Sequence, residues 1–350
     1  MTSASRADVM AMASDPGAWA IAPHDHGGDL AAARRTFPGA PEPFVDLSTG
    51  INPIPYPVPP LSADAWARLP EPAALEALGA IAAKAYGAPS AAHVVAAPGA
   101  QMLLPLAAAL VPPGRAAVLA PTYSEHARAA ALAGHAVVET ADLARLAEAD
   151  LAVVVNPNNP DGRLVAVEPL RRLAATLAAR GGLLVVDEAF MDVGPADASL
   201  ASAAGAGLVV LRSFGKFFGL AGLRLGFALA APDSAARLRA TLGPWPVSGP
   251  AAAIGAAALA DTAWIAATRR ALATSAQRLD RLLVGAGLDV IGGTSLYRLV
   301  RTSRALNLFE HLGCAGVLVR RFVGAPTWLR FGLPGAEKAW QRLGAALGQF

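Results

Sequence analysis

Lys216 stands in the segment SFGKFFGLAGLRLG (residues 213–226), flanked by Phe214, Phe217 and Phe218 and followed eight positions later by Arg224. The chain has only three lysines among its 29 basic residues, so an amine set among small and aromatic side chains stands apart. Desolvation pulls the pKa of an ammonium toward neutrality, and the neutral amine is the form that attacks carbonyl groups to make imines. A lysine snorkelling from a loop edge into water is the plainer reading of one such residue taken alone. The apolar run Leu208-Val209-Val210-Leu211 just before the segment, and the phenylalanines within it, favour the chemical reading.

Three further segments offer partners for that amine. Leu183-Leu184-Val185-Val186-Asp187 reads as a buried strand ending in a carboxylate, and in open parallel sheets ligands bind beyond the carboxyl ends of the strands. A second apolar run, residues 151–155, ends in the Asn/Pro/Gly loop NPNNPDG at 156–162. A third, Val94-Val95-Ala96-Ala97, passes through Pro98 and Gly99-Ala100-Gln101 into the apolar segment 102–110. That is a strand, turn and helix whose first amides are free to receive an anion. Each feature has a structural explanation of its own, since an aspartate after a strand is commonly a cap or turn residue.

The elements that must position these residues alternate between apolar runs and helical patterns, as in a mostly parallel sheet covered by helices. Pro72 to Tyr86 reads as a helix with proline in its first turn and Gly87 beyond its end, and Pro169 to Arg180, closed by Gly181, repeats the design. Strands are expected at Val94, Val118, Val137, Val153, Leu183, Leu208 and Gly222 to Leu229. The Pro-rich run Pro53 to Pro60 is an extended connector that follows candidate site residues Gly50 and Asn52. A Pro/Gly stretch, Gly243 to Pro250, precedes Ala-rich helices at 251–285 and a terminal αβ unit. The expected division is a large domain over 46–243 and a small C-terminal domain over 244–350, with residues 1–45 packing on the small one.

Composition narrows the classes. Hydrophobic residues make up 54% of 350 and charged residues 16%, which suits a well-buried α/β enzyme. The net charge of +3 is spread without a basic block, so no nucleic-acid partner is expected. Pro105, Pro112-Pro113 and Asp261 interrupt the longest apolar stretches, and none offers the 18 or so apolar residues a membrane span needs. The first fifteen residues lack a signal-peptide core, so a cytoplasmic protein is expected. The single cysteine, Cys314, excludes an internal disulfide framework, and nothing near it has metal-ligand spacing; no metal is expected.

NPNNPDG, VVDEAF and SFGKFFGLAGLRLGF, in this order and spacing, resemble the fold-type I pyridoxal-phosphate enzymes of the class I/II aminotransferase family, from about Asp46 to the C-terminus. Within it the chain is similar to the histidinol-phosphate aminotransferase branch, and inside that to the threonine-phosphate decarboxylases of cobalamin biosynthesis. HDHGGDL (24–30), DLSTGINPIPYP (46–57), PTYSEH (121–126) and GPWPVSGPA (243–251) carry the second likeness. The resemblance implies a seven-stranded, mostly parallel sheet in the large domain, pyridoxal 5'-phosphate as cofactor, and a homodimer. It implies Lys216 as the lysine that carries the cofactor and moves protons, with Asp187 pairing the pyridinium N–H. Asn159 would donate to the ring oxygen, and Ser213, Arg224 and the amides of Gly99, Ala100 and Gln101 would hold the cofactor phosphate. The residue stacked on the ring would be His126, or Tyr123 if the register slips. Where many relatives have a tyrosine three residues after the aspartate, this chain has Phe190, so one donor to the ring is missing.

For substrate the resemblance implies Arg330, in WLRFGLP, as the bidentate partner of an α-carboxylate, with Gly50 and Asn52 nearby. Arg320 and Arg321, with His24 and His26, are further cations for a substrate phosphate. The implied reaction is decarboxylation of O-phospho-L-threonine to 1-aminopropan-2-yl phosphate. The same lysine, aspartate and arginine also serve a histidinol-phosphate aminotransferase. A catalytically silent interaction protein of this fold is disfavoured by the intact Lys216, Asp187, Asn159 and Arg224.

Overall fold

The computed structural model describes residues 26–350. The first strand, β1 (Val45–Leu47), belongs to a small sheet. The next seven build the large sheet: β2 (Val94–Ala97), β3 (Arg115–Leu119), β4 (Ala136–Thr140), β5 (Leu151–Val155), β6 (Leu183–Asp187), β7 (Leu208–Ser213) and β8 (Gly226–Leu229). Four more, β9 (Asp289–Thr294), β10 (Tyr297–Arg301), β11 (Val317–Arg321) and β12 (Trp328–Gly332), complete the small sheet.

The large sheet has the order β2-β8-β7-β6-β5-β3-β4. All contacts among β3 to β7 are parallel, and β8 runs antiparallel to both β2 and β7. The mostly parallel seven-stranded sheet is therefore present, and each expected strand takes a place in it. Every residue of β5 and β6 is buried, which is why the strands read as apolar runs without polar alternation up to Asp187: helices cover both faces. The helix Pro72–Tyr86 begins with proline at its first position and ends on Gly87 at φ +75°, as its punctuation predicts. The second such helix runs Val167–Ala178, two residues earlier than expected at each end, because Pro169 is tolerated within the first turn. Gly222 and Leu223 lie in a 3-10 turn, so β8 starts only at Gly226.

The small sheet has the order β1-β11-β12-β10-β9. Helix Leu30–Thr36 lays Ala33 beside Phe37 and Phe44, against Leu318 and Phe309 of this unit. Helix Gly249–Ala260 packs on Pro72–Tyr86, on the large-sheet side of the expected division at 243/244. The apolar surface of that helix needs a large-unit partner, so the chain passes to the small unit along the next helix, Thr262–Gly285. No single described helix is long and apolar enough to cross a membrane.

Beneath the ends of β6 and β7 lies a buried charged cluster. Arg212 Nη1 donates to Glu188 Oε2 at 2.9 Å, Nη2 donates to Asp192 Oδ1, and the guanidinium sits 4.4 Å from the Tyr86 ring centroid. Glu188 also accepts from Ser199 Oγ and the Leu200 amide, each at 2.6 Å.

Candidate active site

Beyond the carboxyl ends of the parallel strands, a cavity of about 1270 Å³ opens between the two sheets. Gly99, Ala100, Gln101, Tyr123, Asn159, Asp187, Ser213, Lys216, Arg224, Arg320 and Arg330 all line it, joined by His26. The parallel strands deliver their carboxyl ends to one edge of the large sheet, and Arg320 and Arg330 reach the same cavity from β11 and β12 of the small sheet.

Lys216 sits in a single helical turn directly after β7 and keeps part of its surface open to the cavity. Burial, reinforced by the positive charge of Arg330, lowers its amine to about 8 against the attraction of Asp187. Its ammonium lies 5.8 Å from the centroid of the Phe190 ring. Asp187 ends β6, only 6% exposed, with Oδ1 accepting the Ala189 amide at 2.9 Å. Its other oxygen is 2.8 Å from Nε2 of His126.

That contact separates the two candidates for the stacking residue. His126 is 3% exposed, absent from the cavity wall, and turned onto Asp187, so it cannot present a ring face to a ligand. Its role is to support the carboxylate. Tyr123 lines the cavity instead, its hydroxyl donating to Gln101 Oε1 at 3.1 Å and its phenol pushed up to about 12 by burial. Gln101 in turn donates to the buried Glu125 at 3.0 Å, which Arg128 at 3.1 Å and His26 at 3.3 Å also approach.

The anion cradle is built by close approach. Helix Ala100–Ala108 starts on Gly99, at φ +91°, with no side chain capping its first amides. A Cβ on Gly99 would lie 2.6 Å from Arg224 Nη2, and one on Gly226 would lie 2.3 Å from the Ala100 nitrogen. Arg224 itself, at φ +53°, is the one non-glycine residue with positive φ among the described residues. Helix-start amides, a guanidinium against them and the Ser213 hydroxyl on the same wall form a cradle whose chemistry suits an anion.

Arg330, on β12, is 7% exposed, and its Nη2 donates to the Ser48 carbonyl at 2.8 Å while Nη1 donates to Asn159 Oδ1. Burial lowers its pKa to about 10, and its buried Nε has no partner among the described residues. A guanidinium on the cavity wall suits an anionic ligand. A phosphorylated aldehyde cofactor fits these residues: cradle for its phosphate, carboxylate for a ring nitrogen, carboxamide for a ring oxygen, low-pKa amine for the aldehyde.

Other expectations fare differently. Gly50 is buried and is not among the residues lining the cavity; a Cβ there would lie 2.9 Å from both Phe190 and Tyr297, so it makes room for the two rings. Asn52 also misses the cavity. Its amide and Nδ2 each donate at 2.9 Å, to the carbonyls of Lys216 and Phe217, so it pins the lysine turn. Arg321 is exposed outside the cavity with its guanidinium over Phe309, whereas Arg320 lines it over Phe322 at 5.4 Å. His24 lies outside the described residues. Glu125, Arg128, Thr49 and the Phe322–Trp328 segment line the cavity unforeseen. Glu125 within PTYSEH, Thr49 within DLSTGINPIPYP and Trp328 within WLRFGLP lie in motifs that point toward the site, whereas Arg128 has no such signal.

A family model described as aminotransferase class I and II matches residues 61–344. A threonine-phosphate decarboxylase of Sinorhizobium sp. is 46% identical over 333 residues, covering 93% of this chain and 98% of that protein. Another, from Pseudomonas aeruginosa, is 42% identical over 328 residues, covering 92% and 97%. The histidinol-phosphate aminotransferase of Sinorhizobium meliloti, solved in complex with pyridoxal-5'-phosphate, superposes with a TM-score of 0.78 at 23% identity, covering 97% of this chain and 95% of that one. Its likeness is one of fold, the fold-type I architecture of a mostly parallel sheet with a smaller α/β unit. With a cavity built for a phosphorylated aldehyde and a model matched along most of its length, the chain belongs to the class I and II aminotransferase family.

Proposed function

We propose that this protein is a pyridoxal-phosphate-dependent lyase that decarboxylates O-phospho-L-threonine, yielding carbon dioxide and 1-aminopropan-2-yl phosphate in cobalamin biosynthesis. The observation that carries the reading is the basic lining of the cavity. Arg224 stands at the helix-start cradle, and Arg330 and Arg320 also line the cavity with His26, a lining that suits a substrate with both a carboxylate and a phosphate. Identities of 46% and 42% to two threonine-phosphate decarboxylases over nearly their whole lengths support the same choice.

When bound, pyridoxal 5'-phosphate supplies an electron sink for the pair left by the breaking bond between Cα and the carboxylate carbon. The protein's part is positional and electrostatic. Asp187, backed by His126, holds a negative charge where a ring N–H would lie. Arg330 fixes the α-carboxylate by its two-pronged geometry until that group departs as carbon dioxide. Lys216 stands to deliver the proton that replaces it at Cα, which an amine titrating near 8 can both give and take at neutral pH. Tyr123 covers one face of the cavity, and Phe190, apolar where a hydroxyl would stand, leaves the ring oxygen to Asn159.

The active unit of this reading is a cytoplasmic homodimer. Ile54, Trp66 and Leu69, in and just after the Pro-rich connector, are 61%, 71% and 62% exposed in the single chain, and a second copy is their proposed cover.

The test is incubation with O-phospho-L-threonine and no keto acid. Stoichiometric carbon dioxide and a phosphorylated amino alcohol are expected. Glutamate formed from histidinol phosphate and 2-oxoglutarate, with no carbon dioxide from phosphothreonine, would move the assignment to an aminotransferase with the same cofactor residues.

A further inference from the structure

Tyr297 touches no ligand space, yet four residues of the site rest on it. It lies on β10 of the small sheet and is 0% exposed. Its hydroxyl donates to the Asn158 carbonyl at 2.6 Å, holding the loop of the large unit that presents Asn159. Its ring lies 5.1 Å from the Arg330 guanidinium carbon. The same ring meets Phe190 at a 5.0 Å centroid distance and 77°, and Phe190 is the ring beneath the Lys216 amine. Gly50 completes the seat, since a Cβ there would strike Tyr297 and Phe190 together at 2.9 Å.

We propose that Tyr297 is a positioning residue that couples the two units at the site: its hydroxyl sets the Asn159 loop, and its ring sets the heights of Arg330 and Phe190. The physical grounds are separable. A buried phenol hydroxyl needs an acceptor, and the Asn158 carbonyl takes its proton, with the Thr294 side chain as a further hydrogen-bonding neighbour. A guanidinium is weakly hydrated and rests favourably on an aromatic face, while Arg330 is bonded through Nη1 to the residue next to that carbonyl. The backbones leave little slack around this contact. Gly293 N donates to the Asp161 carbonyl at 2.8 Å, and a Cβ on Gly162 would sit 2.0 Å from the Gly293 oxygen. Asn159 and Arg330 therefore shift together with Tyr297, though one belongs to each unit.

The proposal rests on the cavity holding pyridoxal phosphate and an amino-acid carboxylate, whichever reaction follows. The test uses the cofactor-loaded enzyme with Tyr297→Phe, Tyr297→Leu, Asn159→Ala and the Tyr297→Phe/Asn159→Ala double variant. Three quantities are read: thermal unfolding, the pH midpoint of the cofactor's visible absorption, and KM against kcat for O-phospho-L-threonine. Tyr297→Phe keeps the ring, so it is expected to move the absorption midpoint and lower kcat about fivefold or more, with KM changing less than about twofold. Tyr297→Leu, without the ring under Arg330, is expected to raise KM about tenfold as well. In the Asn159→Ala background the Tyr297→Phe exchange should shift nothing further, because the hydroxyl acts through that loop. Effects of the two substitutions that simply add would overturn the coupling, as would a Tyr297→Phe enzyme with wild-type midpoint and kcat. If Tyr297→Leu does not fold, the cycle between Tyr297→Phe and Asn159→Ala decides alone. A wild-type protein that takes up no cofactor would instead defeat the reading of the cavity, a result separate from additivity in a loaded enzyme.

Discussion

Lys216 shows how much of the site is readable at the level of single residues. Its three phenylalanines announced a desolvated amine, and the structure lowers it from 10.5 to about 8, with burial as the main cause. The shift has a stability consequence whose sign is fixed. Between about pH 8 and 10.5 the unfolded lysine keeps its proton while the folded one has lost it, so stability of the cofactor-free protein rises with pH across that window. The urea-unfolding free energy of wild type minus that of Lys216→Met should therefore climb from pH 8 toward 10.5 and be flat below 8. A difference that falls over that range would contradict a depressed amine. Residues whose task is to support others were harder to see. Asn52 and Gly50 sit within a site motif but serve the lysine turn and two rings, because motif proximity does not report which way a side chain faces. His126 offered the same ambiguity until the 2.8 Å contact with Asp187 fixed it.

At the scale of elements, the turn from β2 into helix Ala100–Ala108 was legible because glycine before an apolar helical run has few other uses. What could not be read was its partner. The strand and turn after Lys216 bring Arg224 back against Gly99, a contact between residues 125 apart in sequence that no local pattern encodes. Gly99→Ala should expose that dependence. A Cβ must displace the Arg224 guanidinium, and φ +91° with ψ 151° is backbone that only glycine adopts without cost, about 1–3 kcal/mol elsewhere. Cofactor affinity measured by equilibrium dialysis should fall at least about tenfold, the equivalent of about 1.4 kcal/mol. Unchanged affinity in a folded Gly99→Ala protein would mean the cradle lies elsewhere. Gly243 to Pro250 breaks the chain, yet the helix after it packs on Pro72–Tyr86 of the large unit, for a related reason: a contact between distant apolar surfaces has no local signal. Breakers mark where a chain turns, and only packing decides which unit keeps the next helix.

Across the whole molecule, alternating apolar runs and helices foretold the parallel sheet, while the antiparallel β8 had no signal in its four residues. Sedimentation should find a dimer at assay concentration, and charged residues at Trp66 and Leu69 should shift it toward monomer with loss of activity; a fully active monomer would remove the second copy from the account. The buried Arg212 cluster bears on how the sheet assembles. LLVVD and LVVLR are nearly interchangeable as apolar ribbons, so hydrophobicity alone would let β6 and β7 slide past one another during folding. In the native alignment, with Asp187 opposite Leu211, Arg212 meets both Glu188 and Asp192. A slip of one residue would part the buried guanidinium from its two carboxylates, a penalty of several kcal/mol. The ion cluster thus favours the alignment of the two strands that carries Asp187 and Ser213 to the same edge of the sheet.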